Sequence, residues 1–190
     1  ARRQRQMCIR DRYWTSAVCV LDEEQQRYLG TDVAMNLFVA ERAKGTEPES
    51  PWSHVMRHAA ACHVGDLVNA IHTLPGGRVM YATASGALGT LVHVPEPVAR
   101  VLLCVQDAMI EVVPAPGDIP WESWRTSRTD TRTEPPHHIL DADVLRFFVS
   151  DPSVRSPCLD KAGSLAQGRD IPMAEMAAER ILEMLLALLS

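Results

Sequence analysis

The chain has 190 residues, 46% of them hydrophobic and 23% charged, which is the composition of a folded protein and excludes a wholly disordered one. Its formal net charge of -5 argues against a dedicated grip on nucleic acid, because phosphate binding draws on a surplus of Lys and Arg. The opening stretch carries Arg2, Arg3, Arg5, Arg10 and Arg12 against Asp11 alone, so the body that follows is more acidic than the total.

Behind the basic opening, short apolar runs separated by turn residues indicate β-structure. Ser16–Leu21 is one run and Ala34–Ala40 another, with Asp22-Glu23-Glu24 as the polar connection. Lys44–Pro51 reads as a loop, since Gly45, Pro48 and Pro51 disfavour both helix and central strand. Val55–Val64, Leu67–Thr73, Arg78–Ala84 and Ala87–Val94 then read as four strands of one antiparallel meander. Pro75-Gly76-Gly77 and Ser85-Gly86 supply tight reversals, for which glycine tolerates the positive φ angles. A meander has edges to hide, so a propeller blade or sandwich is expected rather than a free sheet.

From Pro95 the spacing turns helical. Val98, Val101, Leu102, Val105, Ala108 and Met109 form one apolar stripe, with Pro97 suited to a first turn. Pro114–Asp118 ends it, and a second helix is expected from about Asp118 with Trp121 and Trp124 on one side. Thr126–Pro136 reads as a polar connector. Asp141 is placed to cap a third helix presenting Val144, Leu145, Phe148 and Val149. Asp151–Arg169 shows little pattern and is expected to be irregular. The last helix is expected from about Met173 to Leu189, with Pro172 at its entrance and Glu175, Glu179 and Glu183 on one line.

No motif for catalysis emerges. Five cysteines, Cys8, Cys19, Cys62, Cys104 and Cys158, occur without a Cys-x-x-Cys pair, so reduced thiols in an intracellular, soluble protein are expected rather than disulfides or structural zinc. There is no apolar run of the ~20 residues a membrane span needs and no secretory signal pattern. His54 and His58 lack the glutamate of a zinc-protease motif. Cys62 and His63, adjacent on a strand, point to opposite faces and make a poor nucleophile and base. His137-His138 beside Pro135-Pro136 reads as an exposed turn rather than a metal site. Gly76-Gly77-Arg78 and Gly86–Gly89 lack the ending of a phosphate loop. Arg125, Arg128 and Arg132 alternate with Asp130 and Glu134, which leaves a nearly balanced surface.

Several strings occur in a telling order: Trp14-Thr15-Ser16-Ala17-Val18, Asn36-Leu37-Phe38-Val39, His63-Val64-Gly65-Asp66-Leu67-Val68-Asn69 and Thr83-Ala84-Ser85-Gly86-Ala87-Leu88-Gly89. Trp124-Arg125-Thr126, Arg132-Thr133-Glu134-Pro135 and Ile139-Leu140-Asp141-Ala142-Asp143-Val144 continue it. Together they resemble the C-terminal region shared by the large subunits of damaged-DNA-binding complexes, a cleavage and polyadenylation specificity factor subunit and a spliceosomal subunit. The Arg-Thr-Glu-Pro string favours the damaged-DNA-binding branch. The resemblance runs from about Trp14 to Val149 with a weaker echo in the final helix. Residues 1–12 lie outside it, and Met7–Arg12 resembles a translated sequencing adaptor, so a non-native leader is expected there.

The resemblance implies a β-rich plus α fold: the terminal part of a β-propeller over residues 13–94, followed by a small C-terminal helical domain over residues 95–190. It implies a fragment of a non-enzymatic adaptor of a cullin-RING ubiquitin ligase, nuclear and also cytoplasmic, linked to DNA repair. Substrate receptors would dock in a propeller cleft, a missing propeller would hold the cullin, and DNA would be reached mainly through a receptor, without membrane or cofactor. By position, Trp14, Leu67, Asn69, Ala84 and Val98 match cleft-lining residues of the family. Trp14 and Asn69 keep the family's residue type, Leu67 and Ala84 are smaller apolar replacements, and Val98 stands where an aromatic is usual. Asp151–Arg169 departs from the family, so a receptor contact that relatives make there is not carried over to this chain. The alternative implied function is a nucleic-acid-binding scaffold of mRNA cleavage, polyadenylation or splicing, and the low aromatic content of 5% speaks against its stacking surface.

Overall fold

The computed structural model describes residues 14–24, 26–43, 55–128 and 133–189. The leader with Cys8, the Lys44–Pro51 loop, His54, Asp130 and Arg132 lie outside them. The chain divides into a strand unit, residues up to Val92 with Glu122–Ile139, and a helical unit, His93–Trp121 with Leu140 onward. The expected connector thus belongs with the strands.

The strand unit contains two antiparallel sheets. β1 (Thr15–Asp22), β2 (Arg27–Asp32), β3 (Asn36–Ala43) and β4 (Val55–His63) pair in sequence order, and β5 (Val68–Leu74), β6 (Arg78–Thr83) and β7 (Leu88–Val92) form a second sheet. The four strands expected as one meander are therefore divided between β4 and β5. Gly65, at φ 85°, turns the chain out of the first sheet, and the Val64 N–H is bonded to the Met35 carbonyl instead of a strand. Leu29, Leu37, Cys62 and Val79 form the buried centre, with Ile71, Leu91 and Ile139 against it.

β2 was not visible as an apolar run because a central strand here carries Gly30, Thr31 and Asp32, all buried. Gly30 faces Phe38 across the ladder, and a Cβ on Gly30 would come within 2.5 Å of the Phe38 ring. The second sheet repeats the device: Gly89 is paired with Tyr81, whose ring covers the space a Cβ would take. An aromatic side chain lying over a cross-strand glycine restores the contact that glycine lacks.

In the helical unit, α1 (Glu96–Val112) buries Val101, Leu102, Cys104, Val105, Ala108 and Met109, so five of the six residues of the expected stripe with one cysteine added, while Val98 is half-buried. The second helix is a single short segment, α2 (Trp121–Arg125), preceded by a 3-10 turn at Pro116–Asp118; only its Trp121 counts with the helical unit, and Glu122–Arg125 belong to the strand unit. α3 (Ala142–Ser150) is capped by Asp141, whose carboxylate accepts the Asp143 N–H at 2.9 Å, and it buries Val144, Leu145 and Phe148.

Asp151–Arg169 is not irregular. It contains a 3-10 turn at Pro152–Val154 and α4 (Arg155–Gly168), whose buried positions are Cys158, Ala162, Gly163 and Ala166. Small residues carry little hydrophobic periodicity, which hid the helix, but they let α4 approach α1 closely. The Cys158 Sγ lies 3.7 Å from the Val105 carbonyl, and burial pushes this thiol up to about 11, far from a reactive thiolate. The Arg169 guanidinium, past the end of α4, binds Asp107 at 2.6 Å.

This close approach gives a first expected result. Ala162→Leu inserts bulk where the exposure is 0% and lowers stability by about 1–3 kcal/mol through overpacking. Urea denaturation followed by circular dichroism measures it; an unchanged midpoint would mean that the α1–α4 contact has slack.

The last helix is shorter than expected. Met173–Met176 is a 3-10 turn, Ala177 is extended at ψ 138°, and α5 (Ala178–Leu189) follows. The break places Arg180 between two acids of the expected line, 3.3 Å from Glu175 and 3.2 Å from Glu183. Met176, Ile181, Met184 and Leu185 enter the core, while Leu186 is exposed. No helix among the described residues is long and apolar enough to cross a membrane.

Candidate protein-docking site

Four of the five residues singled out from the sequence lie in the strand unit. Trp14 immediately precedes β1; its carbonyl accepts the Val33 N–H at 3.0 Å and its side chain is 86% exposed. A tryptophan presented so fully to solvent contributes little to its own fold and offers a large apolar anchor. Val33 and Met35, in the turn between β2 and β3, are also exposed, at 46% and 39%. They extend the apolar surface next to Trp14, and sequence reading missed them because a turn of Val33-Ala34-Met35 has no pattern.

That turn is held from below by a buried carboxylate. Asp32 Oδ1 accepts the N–H groups of Ala34 and Asn36, both at 3.0 Å, and its Oδ2 accepts the Asn36 side-chain amide at 3.1 Å. The Met35 N–H closes on the Asp32 carbonyl at 3.0 Å, and Met35 itself adopts a φ of 65°. A bulky residue in the left-handed region costs energy, so the surrounding bonds must over-determine it.

Met35 leads directly to the second part of the site, since its carbonyl takes the Val64 N–H at 2.8 Å. Three residues on, half-buried Leu67 accepts the exposed Ala84 N–H at 2.7 Å, which joins the loop before β5 to the loop after β6. Asp66 reinforces the junction: its carboxylate accepts the Leu67 N–H at 2.7 Å and the Ser85 hydroxyl. The Ser85 hydroxyl, then Thr83 and the backbone N–H groups, hold the Asp66 carboxyl below the usual carboxylate range. Gly86, at φ 92°, completes the reversal into β7. Asn69 is exposed on β5 at the irregularity between Val68 and Ala70, where one residue goes unpaired in the ladder.

The fifth residue, Val98, belongs to the helical unit, in the first turn of α1, where it is half-buried against the helical core. Leu67 and Ala84 are therefore brought together, Trp14 is joined to them through the Val33–Met35 turn, and Asn69 lies two residues beyond Leu67.

The other sequence candidates take structural positions. Cys62 is in the strand core, while His63 turns to Asn36. His58 stacks on Phe38 with centroids 5.2 Å apart. His137-His138 is more than an exposed turn: His137 forms a backbone bridge to Ala61, and His138 Nδ1 lies 2.7 Å from the Ala59 carbonyl. Among the described residues, no group of three or more His, Cys, Asp or Glu could hold a metal ion. The arrangement offers hydrogen-bonded loops and exposed apolar side chains.

A family model described as the CPSF A subunit region matches residues 9–150, a span that takes in the last four residues of the expected leader. DNA damage-binding protein 1 of Drosophila melanogaster is 26% identical over 151 residues, covering 72% of this chain and 13% of that protein. DNA damage-binding protein 1b of Arabidopsis thaliana is 24% identical over 177 residues, covering 86% of this chain and 15% of that protein. The chain thus spans a small part of the length of these relatives.

Proposed function

Given that the chain belongs to the CPSF A subunit region family, we propose that its strand unit is the terminal part of a β-propeller in a scaffold of the DNA damage-binding kind. The loop ends carrying Trp14, Leu67, Asn69 and Ala84 serve there as a docking edge for other proteins. The finer role is that of a non-enzymatic adaptor in a cullin-RING ubiquitin ligase, nuclear and also cytoplasmic. It presents substrate receptors through this edge, and reaches DNA through the receptor it holds.

The observation that carries the reading is Trp14: an anchor 86% exposed, standing on backbone bonds that do not need its side chain. Around it, the Asp32 and Asp66 carboxylates hold two exposed loops in one geometry, so binding pays little for ordering them. The mechanism is presentation. An amphipathic helix of a receptor lays its apolar face on Trp14 and the Leu67–Ala84 junction, and the Asn69 amide, with both a donor and an acceptor, orients it.

The test is a calorimetric titration of the chain with a synthetic helical segment of a cullin-RING substrate receptor. Trp14→Ala weakens binding by more than ~1 kcal/mol, about fivefold, while its thermal melt matches that of the unaltered chain. Equal affinity of the two proteins would overturn the assignment. Salt-sensitive binding of RNA, in place of the peptide, would support the mRNA-processing branch instead.

A further inference from the structure

The docking edge leaves one polar network unaccounted for, on the side of β3 and β4 where the connector returns. Asn36 and His63 are cross-strand partners there. The connector places β8 (Ser127–Arg128), paired with β9 (Thr133–Glu134), against the same residues. The Asn36 side chain bridges all of them. Its amide nitrogen donates to Asp32 Oδ2 at 3.1 Å and to the Arg128 carbonyl at 3.0 Å, and its Oδ1 accepts the Arg128 N–H at 3.3 Å. His63 Nδ1 stands 3.3 Å from that same Oδ1.

These partners fix the tautomer. Asn36 spends its amide hydrogens on Asp32 and Arg128, so the oxygen facing His63 can only accept and Nδ1 must carry the proton. Neutral His63 satisfies this with Nε2 unprotonated. A second proton would create a cation on a half-buried ring that faces the charges of Arg128 on β8 and Arg125 on α2. Asp32 faces it too, from β2, and favours the proton, but by less than burial and Arg128 oppose it. The hairpin has little reserve against such a charge, for Ser127 is buried with its hydroxyl unpartnered.

We propose that His63 is an acid-sensitive latch: neutral, it seals the Asn36 network that fastens the β8–β9 hairpin to the strand unit, and protonated, it drives Arg128 away and loosens the hairpin. Burial first, then Arg128 and Arg125, lower the proton affinity of His63 below its ordinary value of 6.5, outweighing Asp32. The sign follows from linkage. The unfolded chain takes up the proton near pH 6.5 and the folded one only at lower pH, so the fastening is complete above 6.5 and is lost as pH falls through the depressed value. The device goes beyond the docking function and does not depend on it.

Hydrogen exchange of the whole chain, corrected for intrinsic rates, tests it. At pH 5.5, the amides of Ser127–Arg128 and Thr133–Glu134 lose about tenfold of the protection they have at pH 7.5, while β6 keeps its own. His63→Asn, whose amide nitrogen takes the place of Nδ1 and so still donates to Asn36 but cannot gain a charge, shows no difference between the two pH values. Arg128→Ala removes the repelling charge yet keeps both backbone bonds, and shifts the His63 titration seen by NMR upward toward 6.5. Equal protection at both pH values, a loss that persists in His63→Asn, or a titration unmoved by Arg128→Ala would each overturn the latch.

Discussion

Replacing Phe148 by alanine is expected to cost the helical unit about 3–5 kcal/mol. Among the described residues Phe148 is the largest side chain with 0% exposure, on the inner face of α3 among the core residues contributed by α1, α4 and α5. The surrounding side chains are held by their own helices and can only partly collapse into the space, so the loss exceeds the transfer of the ring to water. A loss of this size is a large fraction of the stability of an ordinary domain. Urea denaturation monitored by helical circular dichroism measures it, and a loss below about 1 kcal/mol would mean that the helices do not form one rigid core. Phe148→Leu, which keeps most of the volume, should recover more than half of the deficit.

The second large effect falls in the strand unit. Asp32→Ala removes an acceptor, 2% exposed, that serves three donors: the N–H groups of Ala34 and Asn36 and the Asn36 amide. Each stranded donor costs ~1–3 kcal/mol when water cannot reach it, so a total of about 3 kcal/mol or more is expected. Asp32→Asn should also destabilise, because one of its arms offers a donor to a donor. The damage has a functional side. The left-handed Met35 relies on this carboxylate, so the turn that joins Trp14 to the Val64–Leu67 segment should lose hydrogen-exchange protection. Retained protection of residues 33–36 in Asp32→Ala would show that the turn is held by other means.

Much of the fold was legible because its burial obeys simple periods. The α1 stripe, the Asp141 cap and the glycine turns at Gly76 and Gly86 all follow local rules, and each was read from a window of a few residues. Two elements escaped because small or polar residues do the packing. Gly30, Thr31 and Asp32 make a buried strand without hydrophobic character, and Cys158, Ala162, Gly163 and Ala166 make a helix face without bulk. The division between β4 and β5 was missed because consecutive strands usually pair, whereas here β4 pairs with β3 and β5 with β6.

The site was legible to a different degree. Trp14, Leu67, Asn69, Ala84 and Val98 came from resemblance, not from any chemistry visible in their spacing. The Asn36–His63–Arg128 network could not be read, since Asn36 and Arg128 are 92 residues apart and nothing local marks them as partners. Val33 and Met35 escaped for the opposite reason, being unremarkable until the backbone shows Met35 in a conformation that a methionine rarely takes.

The two glycine–aromatic pairs carry a consequence for how the sheets find their alignment. Sliding β3 by one position along β2 would bring the Phe38 ring over Leu29 or Thr31 in place of Gly30, and the same slip in the second sheet would set Tyr81 against Leu88 or Thr90 in place of Gly89. Neither neighbour leaves room for a ring lying flat across the ladder. Each sheet therefore contains a notch and a peg that fit in one setting only, a mechanical indexing that rejects misaligned hairpins while the strands are still assembling.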